Sequence, residues 1–233
     1  MPDPELRRAI PQAVPAGYDL LPELNPPEVP TLPASKRIFD QCFAVAALLA
    51  LMPVMFLIAL AILLIDRQNP FFGHLRVGND DSTFRCWKFR TMARNAEQML
   101  PGILATNPVA RAEWMATQKL SNDPRITRVG AFLRKTSLDE LPQFWNVLRG
   151  EMSVVGPRPI VLGEISKYGE RYWAYRMMRP GITGLWQVTG RSTTSYDERV
   201  AMDVAYARAR SFWWDIAIVF RTVRVVLFRV GAV

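Results

Sequence analysis

Between Cys42 and Ile65 the chain runs for 24 residues without a charge, and Pro53 stands near the middle of the run. As one straight helix this segment would reach about 36 Å, enough to cross the hydrocarbon core of a bilayer, so a plain span is one reading. Proline removes a helical hydrogen bond, clashes with the preceding turn and pushes the residue before it, here Met52, away from α geometry. A break at Pro53 leaves two arms of about a dozen residues, each about 18 Å long, or about half the hydrocarbon thickness. Lys36 and Arg37 precede the run and Arg67, Arg76 and Arg85 follow it. Both ends therefore carry the positive charge of a cytoplasmic flank. The sequence favours a broken, re-entrant helix over a span, although proline kinks in true spans keep the second reading open.

What surrounds this element is limited by composition. Half of the 233 residues are apolar and 21% are charged, which fits one membrane element on a soluble body better than a polytopic protein. The length suits a single well-cored unit with appendages. Residues 1–35 hold nine of the eighteen prolines, with two basic and five acidic side chains. They show no helical or strand period and are expected to be disordered, with folding starting near Ser35. This start does not match a cleaved signal peptide, so the apolar segment is expected to be retained.

The remainder of the chain carries a formal charge of +11, which suits anionic lipid headgroups, phosphate-bearing substrates or nucleic acid, or is simply a solubilising surface. Cys42 and Cys86 form no CxxC spacing and no disulfide framework, as expected of a reducing compartment. His74 is the single histidine. A zinc site of ordinary ligand count is thereby excluded, so that any metal should be oxygen-bound, such as magnesium, and His74 reads as structural.

In the body, Thr83 to Met92 is the best strand candidate, its period of two placing Lys88 and Arg90 on a wet basic face and Trp87 and Phe89 on a core face. Residues Asn95 to Lys119 read as helical with a break at Pro101, Gly102 and Pro108, and Ile126 to Lys135 as a short helix or turn. Near the C-terminus, Ile216, Val219, Phe220, Val223, Val226, Leu227 and Val230 share one helical face. Trp213, Trp214 and the surrounding arginines make a helix lying in the lipid interface as reasonable as a core-packed one.

The densest polar cluster is Ser137, Leu138, Asp139, Glu140, Leu141, Pro142 and Gln143. Ser137 and Glu140 have capping-box spacing, so both carboxylates could serve only a helix start. With Ser137 as N-cap, however, Pro142 would lie past the free first turn. A helix beginning nearer Glu140 leaves Asp139 projecting from the turn, where a carboxylate can act as nucleophile or metal ligand. Flanking prolines in Gly156-Pro157-Arg158-Pro159 fix the backbone that presents Arg158, whose guanidinium suits a phosphate oxygen pair; the alternative is a rigid turn with a solvated arginine. A second glycine-bearing loop, Arg179 to Gly184 with Thr183, can expose N–H groups to an anion or merely connect two elements. No GxxxxGK[ST], GxGxxG or DxD motif occurs, which argues against the familiar nucleotide-binding loops.

KRIFD (Lys36 to Asp40) before the proline-broken run, KFRTM (Lys88 to Met92), LRKTSLDELPQ (Leu133 to Gln143), GEMSVVGPRP (Gly150 to Pro159) and RPGITGLWQVTGR (Arg179 to Arg191) occur in this order. Together they resemble the bacterial sugar transferases, the monotopic polyprenyl-phosphate phosphoglycosyl transferases. GHLRVG (Gly73 to Gly78) and SNDPRIT (Ser121 to Thr127) are most similar to the galactose-type members that start exopolysaccharide repeat units. The family breaks its re-entrant helix at a Ser-Pro pair, where this chain has Met52-Pro53.

The resemblance implies an α+β fold, mainly helical with a small sheet, with the re-entrant helix broken at Pro53 and with interfacial amphipathic helices. After the segment 1–35, which lies outside the resemblance, it implies a membrane hairpin 36–67 and a cytoplasmic catalytic domain 68–233 on the inner membrane of a bacterium. Asp139 would attack the sugar-linked phosphorus of a UDP-sugar, most simply UDP-galactose or UDP-glucose, and release UMP. Undecaprenyl phosphate would then take the phosphosugar. Asp139 and Glu140 would be the catalytic pair and the ligands of Mg²⁺, and Lys88, Arg90, Arg158, Arg179 and Thr183 would bind substrate. Anionic headgroups, and not nucleic acid, would be the further partner. A non-catalytic basic adaptor on the membrane and transfer of the bare sugar with release of UDP are the competing readings. Neither the sugar nor the oligomeric state is written in a short motif.

Overall fold

The computed structural model describes residues 34–117, 119–189 and 194–227. The expected disorder of residues 1–35 therefore lies outside the described residues, save for Ala34 and Ser35, which are already helical. So do Arg191 and the side chains of Val226, Leu227 and Val230.

The apolar run forms helix α1, Ala34–Ala61, which continues through Met52 and Pro53 and ends in a π turn, Ile62–Asp66. It is the one segment among the described residues long and apolar enough to cross a membrane, and only 11% of its most apolar stretch is buried by the rest of the chain. The expected interruption at Pro53 is thus not a loss of helical structure. Pro53 nevertheless stands beside a boundary: the chain divides into two compact units, and the division within α1 falls between Leu51 and Met52. The first unit comprises Met1–Leu51, Gly73–Trp87 and Pro142–Val233, the second Met52–Phe72 and Lys88–Leu141.

Strands β1 (Phe71–Val77) and β2 (Thr83–Phe89) pair around a short turn. The period of two is visible in β2, where Phe84 and Cys86 on one face enter the core of the first unit and Phe89, on the other face, enters the core of the second. Beyond Arg90 the extended chain finds a new partner, Met92 bridging Ile126 in antiparallel fashion. The strand is consequently shorter than the Thr83 to Met92 of the sequence reading.

In the first unit, helix α5 (Gln143–Arg149) leads into β3 (Ser153–Val155), which pairs in parallel with β4 (Gly181–Thr183) in the register Ser153 to Gly181 and Val155 to Thr183. Helices α6 (Ile165–Tyr168), α7 (Tyr172–Arg176), α8 (Leu185–Thr189), α9 (Tyr196–Ala209) and α10 (Phe212–Leu227) complete it. Val147, Met152, Val154, Trp186 and Ile218 belong to its main core. A tyrosine-rich cluster packs separately around Tyr168, Tyr175 and Val200. There Asp203 is buried and accepts the Tyr168 O–H at 2.8 Å, and burial pushes its carboxyl up to about 7.

The buried residues of α10 differ from those its apolar stripe suggested. Asp215 and Ile218 are buried, whereas Phe220 and Val223 are exposed. Asp215 turns inward because it has a buried cation to meet. Lys36 Nζ lies 2.8 Å from Asp215 and 3.1 Å from Asp40. Asp40 in turn accepts the Ser153 hydroxyl at 2.8 Å and the Val154 N–H at 3.1 Å, and Tyr206 donates its O–H to Asp215 at 2.6 Å. One ammonium and two carboxylates thus fasten the first turns of α1 to β3, α9 and α10. Burial still pushes the Asp215 carboxyl upward, with Lys36 and Tyr206 opposing.

In the second unit, helices α2 (Ala96–Thr106) and α3 (Pro108–Thr117) form a hairpin. Only one of the two expected breaks is present, at Asn107, whose side chain accepts the Ala110 N–H at 3.0 Å. Pro101 and Gly102 remain inside α2, because the carbonyl freed by proline belongs to exposed Glu97, where water can satisfy it. Helix α4 (Arg128–Thr136) is capped by Thr127, which accepts the Gly130 N–H and donates to Asp66 at 2.7 Å. A Cβ at Gly130 would lie 2.0 Å from the Thr91 carbonyl oxygen, so no larger residue fits there. Ile58, Ile62, Phe89 and Leu133 form the core of this unit.

Replacing Lys36 by Met keeps most of the side-chain volume but leaves Asp40 and Asp215 buried against each other. We expect Lys36→Met to lower stability by about 3–5 kcal/mol, read as a fall in Tm of the purified full chain in detergent. A Tm equal to wild type would show that the network is dispensable.

Candidate active site

Asp139 and Glu140 occupy a single 3₁₀ turn, Leu138–Glu140, in the second unit. Ser137 precedes it in the left-handed region (φ 58°) and ends α4, its N–H donating to Arg134 O. It makes no side-chain cap, so the capping-box reading does not hold. The next helix, α5, begins only at Gln143, with Pro142 before it. Pro142 therefore sits where its missing N–H is harmless, and both carboxylates project from the turn. Leu138 and Leu141 pack on the core of the unit. The two residues between them, Asp139 and Glu140, are not used for this packing.

Lys88, at the end of β2, places Nζ 2.5 Å from Glu140 Oε1, with about a quarter of each side chain exposed. Burial pushes the Asp139 carboxyl above the usual carboxylate range; Lys88 opposes this, Glu140 adds to it and Arg134 again opposes. Arg134 was not singled out from the sequence, although it lies within the LRKTSLDELPQ block. Its Nε donates to Thr91 Oγ1 at 2.9 Å, which orients a second cation toward the carboxylates. The sequence signal was a cation in the last turn of a helix directly before the acidic turn. Arg90, in contrast, is held by backbone: its guanidinium donates to the carbonyls of Asn69 at 2.9 Å and Phe71 at 3.4 Å and lies over the Phe72 ring.

The other predicted residues, Arg158, Arg179 and Thr183, belong to the first unit. Arg158 is exposed on the loop after β3. That loop is clamped by the end of β1: Arg76 Nη1 donates to Pro159 O at 3.2 Å, Val77 N to Ile160 O at 2.9 Å, and Tyr175 donates to Val77 O while accepting the Ile160 N–H. Arg76 is the second residue that the sequence reading passed over as a mere flanking charge. Burial lowers its guanidinium pKa and neighbouring Arg158 lowers it further, while Cys86 and Glu164, the latter 4.0 Å away, oppose. Thr183 is buried with its hydroxyl 2.7 Å from that of Thr222, which itself donates to Ile218 O. The Thr183 O–H therefore donates to Thr222 and ties β4 to α10. Arg179 is part-buried, and its Nε has no acceptor among the described residues.

The two proline- and glycine-bearing loops are one structure. A Cβ on Gly181 would lie 2.2 Å from Gly156 N, one on Gly156 2.3 Å from Arg179 O, and one on Gly184 2.3 Å from Gly156 O. Backbone thus packs directly on backbone, and these glycines are required for contact more than for conformational freedom.

Among the described residues no group of three or more His, Cys, Asp or Glu gathers to hold a metal. Two adjacent carboxylates do match the donor set of Mg²⁺, which takes one or two carboxylates and fills its remaining positions with water and substrate phosphate oxygens. Asp139 and Glu140 fit such an ion, with Lys88 already engaged by Glu140.

Residues 32–229 match the sequence model of the bacterial sugar transferases, and the chain belongs to that family. It is 51% identical over 199 residues to a UDP-galactose-lipid carrier transferase of Erwinia amylovora, covering 84% of this chain and 41% of the relative. It is 49% identical over 197 residues to an undecaprenyl-phosphate galactose phosphotransferase of Salmonella typhimurium, again 84% of this chain and 41% of the relative. With the exopolysaccharide production protein ExoY of Sinorhizobium fredii the identity is 46% over 198 residues, 85% of this chain and 88% of the relative. The chain thus spans about two fifths of the length of the first two relatives and 88% of the length of the third.

Because the two loops meet backbone to backbone, Gly181→Ala is expected to cost about 1–3 kcal/mol. The measurement is Tm in detergent, and an unchanged Tm would contradict the packing described.

Proposed function

We propose that this chain transfers a sugar 1-phosphate, galactose 1-phosphate in the first instance, from a UDP-sugar to undecaprenyl phosphate, as the first membrane step of exopolysaccharide assembly. The observation that carries this reading is the Asp139-Glu140 turn, half-buried and flanked by Lys88 and Arg134, in a member of the sugar transferase family. The activities for which the relatives from Erwinia and Salmonella are named, both galactose-related, support the donor.

In this mechanism a carboxylate oxygen of Asp139 attacks the sugar-linked phosphorus. The bond from that phosphorus to the bridging oxygen breaks, and UMP leaves with the electron pair. Burial, which penalises the charge on Asp139, makes its ionised form a readier nucleophile. Lys88 and Arg134 limit that penalty and offset the approach of two anions. A phosphate oxygen of undecaprenyl phosphate then attacks the same phosphorus and expels Asp139 as carboxylate, leaving a polyprenyl diphosphosugar. No net proton transfer is required. Mg²⁺, held by Asp139 and Glu140, would neutralise phosphate charge as a Lewis acid. Arg158, with Arg76 behind it, is suited to a phosphate of the donor.

The placement we propose is the cytoplasmic face of the bacterial inner membrane, with α1 re-entering that face through a bend at Pro53. Its exposed apolar surface and the unit boundary beside Pro53 support this. Trp213, Phe220 and Val223 of α10, exposed among Arg221 and Arg224, suit the lipid interface.

With UDP-galactose and undecaprenyl phosphate the full chain is expected to release UMP. Asp139→Asn is expected to lower turnover by about 10³-fold or more while membrane association and Tm stay near wild type. Release of UDP alone, or near-normal turnover of Asp139→Asn, would refute the mechanism.

A further inference from the structure

The strongest charge left unexplained lies at the start of the apolar helix. Arg37 follows the buried Lys36, and the pinning of this turn to β3 through Asp40, Ser153 and Val154 fixes where Arg37 stands. Its guanidinium lies against Gly150, where an added Cβ would be 3.0 Å from Nη2. The sheet places Arg179 beside the same strand: Ser153 N donates to Pro180 O at 2.8 Å, so the residue before Pro180 sits next to the strand that holds the first turn of α1. All of these residues belong to one unit.

Two features of this pair call for an anion. Among the described residues neither guanidinium has a carboxylate within ion-pair distance, whereas Lys36, the immediate neighbour of Arg37, has two. The Nε of Arg179 is shut away from solvent without an acceptor among the described residues, so its desolvation is not compensated by a hydrogen bond. Burial and then Arg37 disfavour the charge on Arg179, and Asp40 and Asp80 offset only part of this. An anion settled beside both groups would offset the remainder and accept charge-assisted hydrogen bonds from them.

Position identifies the kind of anion. Ile38, the next residue after Arg37, is 61% exposed, and the uncovered apolar surface of α1 follows. A ligand at Arg37 would therefore have its phosphate at the level where the apolar helix begins and its hydrocarbon beside that helix.

We propose that Arg37 and Arg179 form a binding site for a lipid-borne phosphate ester, either the polyprenyl phosphate or an anionic phospholipid headgroup. The site rests on the membrane placement given above and is independent of the transfer chemistry at Asp139.

The test uses the full chain in neutral detergent micelles, titrated with undecaprenyl phosphate or with phosphatidylglycerol, the bound lipid being counted by native mass spectrometry. Arg37→Gln and Arg179→Gln are each expected to weaken binding about tenfold, the weight of a charge-assisted hydrogen bond, and Arg179→Lys less. Arg176→Gln, exposed on α7 where the guanidinium already pairs with Asp81 at 3.1 Å, should bind as wild type does. A loss confined to undecaprenyl phosphate assigns the site to the polyprenyl phosphate. A loss for phosphatidylglycerol, alone or as well, assigns it to phospholipid headgroups. Should Arg179→Gln fail to fold, exposed Arg37→Gln carries the test alone. Unchanged affinity for both lipids, or an equal loss in Arg176→Gln, would overturn the proposal. UMP release by the wild-type chain, measured in parallel, reports on the transfer reaction separately.

Discussion

The first unit is organised around a buried ammonium. Lys36 sits between Asp40 and Asp215, and through their further hydrogen bonds to Ser153, Val154 and Tyr206 it joins the start of the apolar helix to β3, α9 and α10. A charge taken out of water is tolerable only when opposite charge and hydrogen bonds meet it in fixed geometry. The arrangement therefore specifies where α1 leaves the folded body more sharply than apolar packing would. From that anchor follow the position of β3, the parallel partner β4, and the two loops that present Arg158 and Arg179.

Two kinds of constraint shape the reactive groups. In the second unit the turn bearing Asp139 and Glu140 is held by burial of the leucines on either side, Leu138 and Leu141, and its charge is balanced by Lys88 and Arg134. In the first, Arg158 is presented by a loop clamped through Arg76, Val77 and Tyr175. Each group thus rests on a local scaffold within its own unit.

Much of this was legible in the sequence because the signals are local. The uncharged run gave the long helix, the period of two in Thr83 to Met92 gave a strand that is realised as far as Phe89, and Pro142 argued against Ser137 as a helix cap. What was missed depends on partners distant in the chain. Lys36 and Asp40 read as a flanking charge and a motif position, since nothing near them announces Asp215. Thr183 read as an anion-binding hydroxyl, yet it bonds to Thr222 in α10. Phe220 and Val223 fell on the apolar stripe of α10, and the helix turns Asp215 and Ile218 inward instead. Arg76 and Arg134 carry charge like any other arginine, and only the acceptors Pro159 O and Thr91 Oγ1 distinguish them.

The central claim is that Asp139 forms a bond to phosphorus. It is tested most directly by incubating the full chain with UDP-galactose in the absence of any polyprenyl phosphate, quenching, and determining the mass of the peptide that contains Asp139. The account predicts a peptide heavier by one hexose phosphate, with UMP released in an amount matching the enzyme, and loss of the added mass when undecaprenyl phosphate is supplied. An unmodified peptide, with UMP appearing only when the acceptor is present, would contradict it.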